Sequence, residues 1–303
     1  MKKIVIAGGT GFIGSYLTNH FINQNYQVIV LTRNHRVNNG NIKYEKWDGS
    51  RLGKWQTSLE NAEALINLNG KSVDCRYTEK NKQLIYDTRI EATNVLGKAI
   101  TNCQNPPKVW INGASATIYP HSVDQPMKED QQDFTPGFSV DVCQKWEEAF
   151  HSYEVAGVRK VLLRIAIILG ENKGALAPLK SLARFGLGGK QGPGNQMFSW
   201  LHEKDMANVM QYCIENKEVS GIYNASAPNP VTNKVFMKTL RKQLKQPIGI
   251  PMPIPMLKLG ALMIGTETEL ILKSRYVVPE KLLNAGFQFE YPQVDQALRH
   301  LCG

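Results

Sequence analysis

The chain has 303 residues, of which 42% are hydrophobic, so it can bury one large core and a smaller lobe. Lys and Arg outnumber Asp and Glu by 36 to 26, giving a net charge of +10, but the basic residues are scattered and form no long run, which argues against a nucleic-acid-binding protein. Five widely spaced cysteines without a C-x-x-C pair, and histidines without metal-ligand spacing, predict neither a disulfide framework nor a metal site.

The N-terminal segment carries the most specific pattern. An apolar run at 4–7 leads into a glycine turn, and a second apolar run follows at 28–31 after a segment with helical spacing. Strand, glycine turn, helix and strand form the unit that holds a pyrophosphate on a helix N-terminus; the alternative is a plain tight turn of an unrelated α/β protein. Two registers fit, Gly9/Gly11/Gly14 and Gly8/Gly11/Gly14. The predicted contacts to the dinucleotide are Gly8, Thr10, Gly11, Phe12, Ile13 and Gly14.

The end of the second strand distinguishes NAD from NADP. NAD sites usually place an acidic residue there for the ribose 2′-hydroxyl, whereas an Arg can pair with a 2′-phosphate. This chain has Thr32 and Arg33, then Arg36, and no acidic residue before Glu45. Because a guanidinium matches phosphate geometry, Thr32 and Arg33 predict NADP(H) rather than NAD. The alternative is that Arg33 is a solvated residue of a polar loop.

Strand and helix patterns then alternate up to about residue 170. The predicted strands are 42–45, 64–68, 108–112 and 160–170, and the predicted helices are 78–101 and 139–152. This alternation is typical of an α/β protein with a doubly wound parallel sheet of the Rossmann type. Ligands bind at the carboxyl ends of such strands, so Leu68, Asn69 and Gly70 are expected along the cofactor. The segment 113–120 is expected at a catalytic position for the same reason.

The composition changes after this region. Residues 171–199 are glycine-rich and predict a cover loop over the site, 221–225 predicts a further strand, and helices are expected near 232–245, 255–273 and 279–285. The predicted organisation is an NADP-binding Rossmann domain at 1–170, completed by about 200–226, and a smaller, mainly helical C-terminal lobe at 228–303.

The sequence argues against both a membrane span and a signal peptide. The longest apolar stretch, 248–264, contains three prolines and Lys258, which argues against a membrane span. The first strand begins too early to leave room for a signal peptide. We therefore expect a cytoplasmic protein, either a monomer or a homodimer, that binds a small-molecule substrate and neither nucleic acid nor membrane.

Several motifs together resemble the extended short-chain dehydrogenase/reductases, the family of nucleotide-sugar epimerases and dehydratases. They are the turn from Gly8 to Gly14, the Ser115–Tyr119 segment at a strand end and the strand at 163–170. Further segments resemble the atypical "epimerase family" branch with its own C-terminal domain. Those segments are 76–78, 87–90, 142–147, 186–189, 199–202, 275–279 and 285–287.

The resemblance implies an NADP-binding fold. It also implies that the backbone near Leu68 and Asn69, the side chain of Arg89 and the strand end near Ile168 touch the cofactor. Arg89 could instead be a salt-bridged surface residue. Ser115 matches the Ser that orients a hydroxyl or carbonyl group in this superfamily, although a Ser that caps a turn is the alternative.

The resemblance also implies a Tyr and a Lys four residues later, where the cation favours the phenolate. None of the eleven tyrosines has a Lys at that spacing. Aligning on Glu147 puts Ser139 at the Tyr position and Cys143 at the Lys position, and neither can do the same work. Tyr119 is a weak candidate acid/base, with packing as the alternative; a nucleophilic Cys143 is weaker than a buried helix cysteine.

Two functions remain open from the sequence. The first is an NADP-dependent oxidoreductase or epimerase-like enzyme with a nonstandard acid/base group and an unknown small substrate. The second is a non-catalytic NADP(H)-binding sensor or assembly protein that kept the fold and lost the chemistry. Lys71, Asp74 and His202 could line a substrate cavity, although His202 is better explained as an anchor for the loop around Trp200.

Overall fold

The computed structural model describes residues 1–171, 173–265 and 267–303. Its longer strands are β1 (Lys3–Ala7), β2 (Gln27–Thr32), β3 (Ile42–Lys46), β4 (Ala64–Asn67), β5 (Val109–Ser115), β6 (Arg159–Ile165) and β10 (Gly221–Ala225). Short strands are β7 (Ile167–Leu169), β8 (Met197–Phe198), β9 (Trp200–His202) and β11 (Val231–Thr232). The helices are α1 (Phe12–Asn23), α2 (Glu79–Thr101), α3 (Phe138–His151), α4 (Leu176–Arg184), α5 (Glu203–Glu215), α6 (Asn233–Gln243), α7 (Ile254–Ile264), α8 (Glu269–Leu272), α9 (Glu280–Asn284) and α10 (Val294–Cys302).

The seven longer strands form one parallel sheet in the order β10-β6-β5-β4-β1-β2-β3. Its central strands are apolar on both faces because helices cover both sides, as the unbroken apolar runs indicate. Helices α1 and α5 pack on one face through side chains such as Phe21 and Met206, and α2 and α3 pack on the other through Leu96 and Phe150. The predicted doubly wound parallel sheet with a smaller, mainly helical C-terminal region is confirmed.

Strands β1 and β4 are neighbours in the sheet, and the helices that follow them lie on opposite faces. The direction in which successive strands are added to the sheet therefore reverses between β1 and β4. A crevice forms at such a reversal, beyond the carboxyl ends of the strands. The register pairs Ala7 with Asn67, so the turns after β1 and β4 leave the sheet at the same level. This edge is where the site residues gather.

The strand predicted at 160–170 is in fact two strands. Strand β6 stays in the main sheet up to Ile165, where the Ala166 N–H donates to the carbonyl of Ala225. One residue later the Ile167 N–H donates to the carbonyl of Ser199, and β7 pairs with β9. The apolar run is continuous through this change of partner, because both parts are buried.

The C-terminal region also differs from its prediction. The helix expected at 255–273 ends at Gly265, whose φ of 75° lies in the left-handed region that terminates helices, and α8 follows as a separate short helix. The sequence did not indicate α10, and the segment 171–199, expected to be a loop, contains α4. Among the described residues, no helix is both long and apolar enough to cross a bilayer.

A buried ion pair joins α3 to β6. Arg164 donates from Nε and Nη2 to the two carboxylate oxygens of Glu147, each at 2.9 Å, and the two side chains are 3% and 10% exposed. The pair is bidentate, which fixes the position of α3 against the sheet. Removing one partner leaves the other as an uncompensated charge in the core.

We expect Glu147→Ala to lower the free energy of unfolding by about 3–5 kcal/mol, because it leaves the Arg164 guanidinium buried without its carboxylate. Urea denaturation measures this. The matched control is Lys145→Ala on the same helix, which removes an exposed pair with Asp141 and should cost less than about 1 kcal/mol. Equal effects of the two substitutions would contradict this account of the core.

Candidate functional site

The glycine turn after β1 is built by backbone contacts that exclude side chains. A Cβ on Gly8 would lie 2.7 Å from the carbonyl carbon of Leu68, and Gly8 has a φ of 80°. A Cβ on Gly14 would lie 2.3 Å from the Gly8 oxygen, and one on Gly9 would lie 2.8 Å from the Val30 side chain. Helix α1 begins at Phe12 and has no side-chain cap at its N-terminus. The N–H groups of its first turn are therefore open to a ligand, which fits a pyrophosphate.

The residues around this turn come from both sides of the crevice. Thr10 is exposed, Ile13 is half-buried, and the Phe12 ring lies against Gly174, where a Cβ would come within 2.6 Å of the ring and 3.0 Å of the Ile168 carbonyl oxygen. The structure thus brings the end of β7 beside the start of α1. Phe12 and Ile168, which are both expected to touch the cofactor, therefore lie close together.

The turn after β4 is fixed by polar side chains. The Leu68 N–H donates to the Ala7 carbonyl at 2.9 Å, the Asn69 N–H donates to Asn67 Oδ1 at 3.1 Å, and Asn69 Nδ2 donates to the Thr88 carbonyl at 2.8 Å. These bonds hold the turn against both β1 and α2. The backbone after β4 therefore lies directly beside the glycine turn.

Arg89 closes the same region from helix α2. Its Nη1 donates to the carbonyls of Lys71 and Ile85 at 3.0 and 3.1 Å, and its guanidinium stands 5.1 Å from the centroid of the Trp146 ring. Gly70 packs against it, since a Cβ there would lie 3.1 Å from Arg89 Cζ. Burial lowers the pKa of Arg89. The side chain thus packs between the β4 turn and α3, unlike a salt-bridged surface residue.

A pocket lies at the end of β2, beside the crevice residues described above. It is lined mostly by residues that the sequence analysis did not select. Arg33 is exposed there and is not among the lining residues. The Arg36 guanidinium stands 5.8 Å from the centroid of the Tyr44 ring, and Thr32 is buried at the pocket edge. None of the lining residues is acidic. They are Thr32, Asn34, His35, Arg36, Val37, Asn38, Tyr44 and Lys46.

Another pocket lies at the carboxyl end of β5, between α2 and α3. Ser115 belongs to it, and its Oγ also accepts a bond from the Thr117 N–H at 3.2 Å, so the residue both caps the turn and faces the pocket. Ser139 and Cys143 belong to it as well, which agrees with the alignment that put them at the Tyr and Lys positions. The lining residues are Val73, Tyr77, Ile85, Arg89, Ser115, Thr117, Phe138, Ser139, Val142, Cys143 and Trp146.

Two of the candidate reactive groups are unsuited to their expected roles. Tyr119 is 0% exposed; its hydroxyl donates to Asn224 Oδ1 at 2.8 Å and accepts from Arg164 Nη1 at 3.0 Å, so it belongs to the buried network of the core and not to the pocket lining. Burial also raises its pKa. Burial raises the pKa of the Cys143 thiol to about 12, so this thiol is protonated at neutral pH and is no nucleophile.

The pocket at β5 contains groups that sequence analysis missed. Tyr77 lines it and has a buried hydroxyl, and Lys273 of the C-terminal region, although not a lining residue, donates from Nζ to the carbonyl of the lining residue Thr117 at 2.9 Å. The segments around Tyr77 and Arg275 were noted as family motifs, but the sequence carried no signal that they meet. His202 lies elsewhere: its Nδ1 caps α5 by accepting from the Lys204 N–H at 3.0 Å, and its ring stacks on Tyr291.

The parallel sheet, the glycine turn and the open helix N-terminus define a Rossmann-type dinucleotide-binding protein. The model of the NAD dependent epimerase/dehydratase family matches residues 4–226, and a domain of unknown function (DUF1731) matches residues 252–301. The epimerase family protein YfhF of Bacillus subtilis (strain 168) is 35% identical over 300 residues, which cover 99% of this chain and 97% of that protein. The epimerase family protein SAR0825 of Staphylococcus aureus (strain MRSA252) is 31% identical over 303 residues and covers 99% of both.

Solved structures give the same result. Human epimerase family protein SDR39U1 (isoform 2), whose crystal structure is with NADPH, is 28% identical with a TM-score of 0.87 and 99% coverage of both chains. The nucleoside-diphosphate sugar epimerase of Corynebacterium glutamicum is 26% identical with a TM-score of 0.79, covering 100% of this chain and 58% of that one. The chain belongs to the NAD dependent epimerase/dehydratase family. The resemblance to the epimerase branch of the extended short-chain dehydrogenase/reductases is thereby confirmed.

We expect Gly14→Ala to weaken dinucleotide binding by at least about tenfold, because the new Cβ would lie 2.3 Å from the Gly8 oxygen and force the turn open. Isothermal titration with NADP⁺ measures the loss. Gly260→Ala in α7 is the matched control, since a Cβ there meets nothing within 4 Å. Unchanged affinity in the Gly14 variant would mean that the turn does not hold the pyrophosphate.

Proposed function

We propose that this protein binds NADP(H) in preference to NAD(H) and uses it in oxidoreductase or epimerase-like chemistry on a small substrate. The first-turn N–H groups of α1 bind the pyrophosphate, and the segment Leu68 to Gly70 and the β7 end at Ile168 flank the rest of the cofactor. The bound cofactor supplies hydride donation and acceptance. The five free cysteines favour a reducing compartment, the cytoplasm.

The pocket at the end of β2 carries the cofactor proposal. It stands where the adenosine ribose of a dinucleotide lies in this type of fold, and its lining contains Arg36, Lys46 and His35 but no carboxylate. A dianionic 2′-phosphate is favoured by such cations, whereas the 2′-hydroxyl of NAD gains little from them. Arg33 follows the lining residue Thr32 in the chain, and its exposed guanidinium adds a further positive charge near the end of β2.

We expect Arg36→Ala to lower NADP⁺ affinity by at least about tenfold and to change NAD⁺ affinity by less than about twofold, because only NADP⁺ loses a charge-assisted bond. Arg33→Ala should also reduce the preference for NADP⁺ over NAD⁺. Lys43→Ala is the control, since it removes a cation from the same strand as Lys46 but from the opposite face. Tighter binding of NAD⁺ by the unchanged protein, or a preference that survives both Arg substitutions, would refute the assignment.

The pocket at the end of β5 carries the proposal of chemistry. Ser115 lines it at the position where a hydroxyl can donate to a carbonyl oxygen, and the helix positions of Ser139 and Cys143 face the same space. The buried side chains of Ile85 and Trp146 form an apolar part of its wall. A hydrogen-bond donor beside such a wall stabilises charge that develops on oxygen.

We expect the unchanged protein to oxidise NADPH with at least one compound in a panel of small aldehydes and ketones. Ser115→Ala should keep NADPH binding and lose about 10²–10³-fold in kcat, the usual cost of one such donor. Ser152→Ala at the C-terminus of α3 is the control, because its hydroxyl bonds to the Ala149 carbonyl outside the pocket. A Ser115 variant with full activity would remove this residue from the chemistry.

The second candidate function is that of a sensor or assembly protein that binds NADP(H) without turnover. It is favoured by the alignment on Glu147, which puts Ser139 and Cys143 where a Tyr and a Lys are expected, and by the Cys143 thiol, which carries no charge because burial raises its pKa to about 12. This function implies tight NADPH binding with no hydride exchange across the whole panel.

A further inference from the structure

The pocket beside Ser115 contains a buried hydroxyl that the protein itself does not satisfy. Tyr77 lies in the segment between β4 and α2, and its side chain lines the pocket. In the part of the chain that the structure describes, its Oη is buried and has no hydrogen-bond partner of acceptable geometry. Buried polar groups in folded proteins are almost always paired. A ligand in the pocket would supply the missing partner.

The Tyr77 ring is held in place from two sides. It packs edge to face on Phe138 at the start of α3, with the ring centroids 4.8 Å apart. Its main-chain N–H donates to Glu267 Oε1 at 2.9 Å, which ties the residue to the C-terminal region. The hydroxyl is therefore positioned before a substrate arrives, which is what proton transfer requires.

Groups near this hydroxyl act on its pKa in both directions. Burial is the largest influence and raises the pKa of Tyr77; Glu269 and Cys75 raise it as well, while the Ser139 hydroxyl and the Arg275 guanidinium lower it. Arg275 is itself buried, and Arg89 lines the same pocket. A cation beside a phenol stabilises the phenolate that forms when the proton leaves. Tyr77 and Arg275 thus influence each other although they come from segments distant in sequence.

We infer that Tyr77 is the catalytic acid/base of this pocket and that the substrate is a small carbonyl compound with apolar substituents, an inference that rests on the proposed NADP(H)-dependent function. Ser115 and Tyr77 supply two hydroxyls for one carbonyl oxygen. Apolar side chains of Val73, Ile85 and Val142 surround them, with no acidic side chain among the lining residues. Groups of a substrate that face this apolar part of the lining would be left unpaired if they were charged or hydroxylated.

The reductive step balances with these groups. The carbonyl carbon accepts a hydride, with its electron pair, from the reduced dinucleotide; the C=O π bond breaks, and the oxygen takes the Tyr77 proton to give an alcohol. The phenolate then recovers a proton from solvent. Ser139, which lines the same pocket, donates from Oγ to Oε2 of the exposed Glu269 at 3.3 Å. The oxidative direction is the reverse.

A titration of the tyrosines tests the inference without a substrate. The phenolic carbons are labelled with ¹³C, and the tyrosine pKa values are followed by NMR in the NADP⁺ and NADPH complexes of the full chain. We expect the Tyr77 pKa to be lower by about 1 or more in the NADP⁺ complex, because the oxidised nicotinamide ring is cationic and the reduced ring is neutral. The resonance is assigned by its absence in Tyr77→Phe.

Tyr86→Phe is the matched control for this titration. Tyr86 is on α2, and its hydroxyl donates to Asp141, an arrangement that with burial raises its pKa to about 12. Its pKa should be the same in both complexes. A Tyr77 pKa that is also unchanged between them would place the phenol away from the reacting ring and overturn the inference.

Turnover provides the second test. With a carbonyl compound that the unchanged protein reduces, Tyr77→Phe should lower kcat by at least about 10²-fold and leave the NADPH dissociation constant within about twofold, since the ring and its packing remain. Tyr86→Phe should keep full activity. An active Tyr77→Phe variant overturns the inference alone, whereas an unchanged protein that binds neither NADP⁺ nor NADPH overturns the proposed function as well.

Discussion

Two contacts between backbone atoms determine where this protein can hold a ligand. Gly8 stands against the Leu68 carbonyl and Gly14 against the Gly8 oxygen, both closer than any side chain would permit. Because of them, α1 begins directly above the ends of β1 and β4, and its first N–H groups and positive dipole end point into the crevice. The turn after β4, the Arg89 side chain and the β7 end are all placed relative to this point.

The chemical half of the site depends on a different set of contacts. The segment after α8 runs between two loops of the Rossmann core: the Ser274 N–H donates to His121 Nδ1 at 3.1 Å, the Val278 N–H donates to the Met127 carbonyl at 3.1 Å, and Ser199 Oγ donates to the Arg275 carbonyl. These bonds hold the neighbouring Lys273 and Arg275 beside the end of β5. The C-terminal region is thus packed against the end of β5, where Lys273 Nζ donates to the Thr117 carbonyl.

The sequence predicted well what is local. Strand, glycine turn and helix lie within one short segment, so spacing alone located the dinucleotide turn, and unbroken apolar runs located the central strands. Spacing failed where the chain changes partners: the run at 160–170 stays apolar through Ala166 although the strand leaves the main sheet there. Arg33 was selected because it follows β2, but the pocket is lined by Arg36 instead, and by Lys46 from the next strand, which only the sheet order brings close.

The same limit explains why Tyr119 was considered before Tyr77. Tyr119 lies four residues after Ser115, but the short helix between them turns its hydroxyl into the core, where Arg164 and Asn224 bind it. Helix α2 and strand β5 separate Tyr77 from Ser115 in the chain. The position of Tyr77 depends on its packing against Phe138, which sequence periodicity does not predict. Local spacing therefore selected a phenol that lies in the core and does not line the pocket.

A Tyr and a Lys one helical turn apart owe their separation to the geometry of a single helix. Here the alignment puts Ser139 and Cys143 of α3 at those positions, and both line the pocket at the end of β5. Tyr77 lines the same pocket from the segment between β4 and α2. Under the proposed assignment, the distance from phenol to cation would be set by tertiary contacts, between the β4–α2 segment and the segment after α8, and the reactivity of the pocket would be tied to the integrity of both.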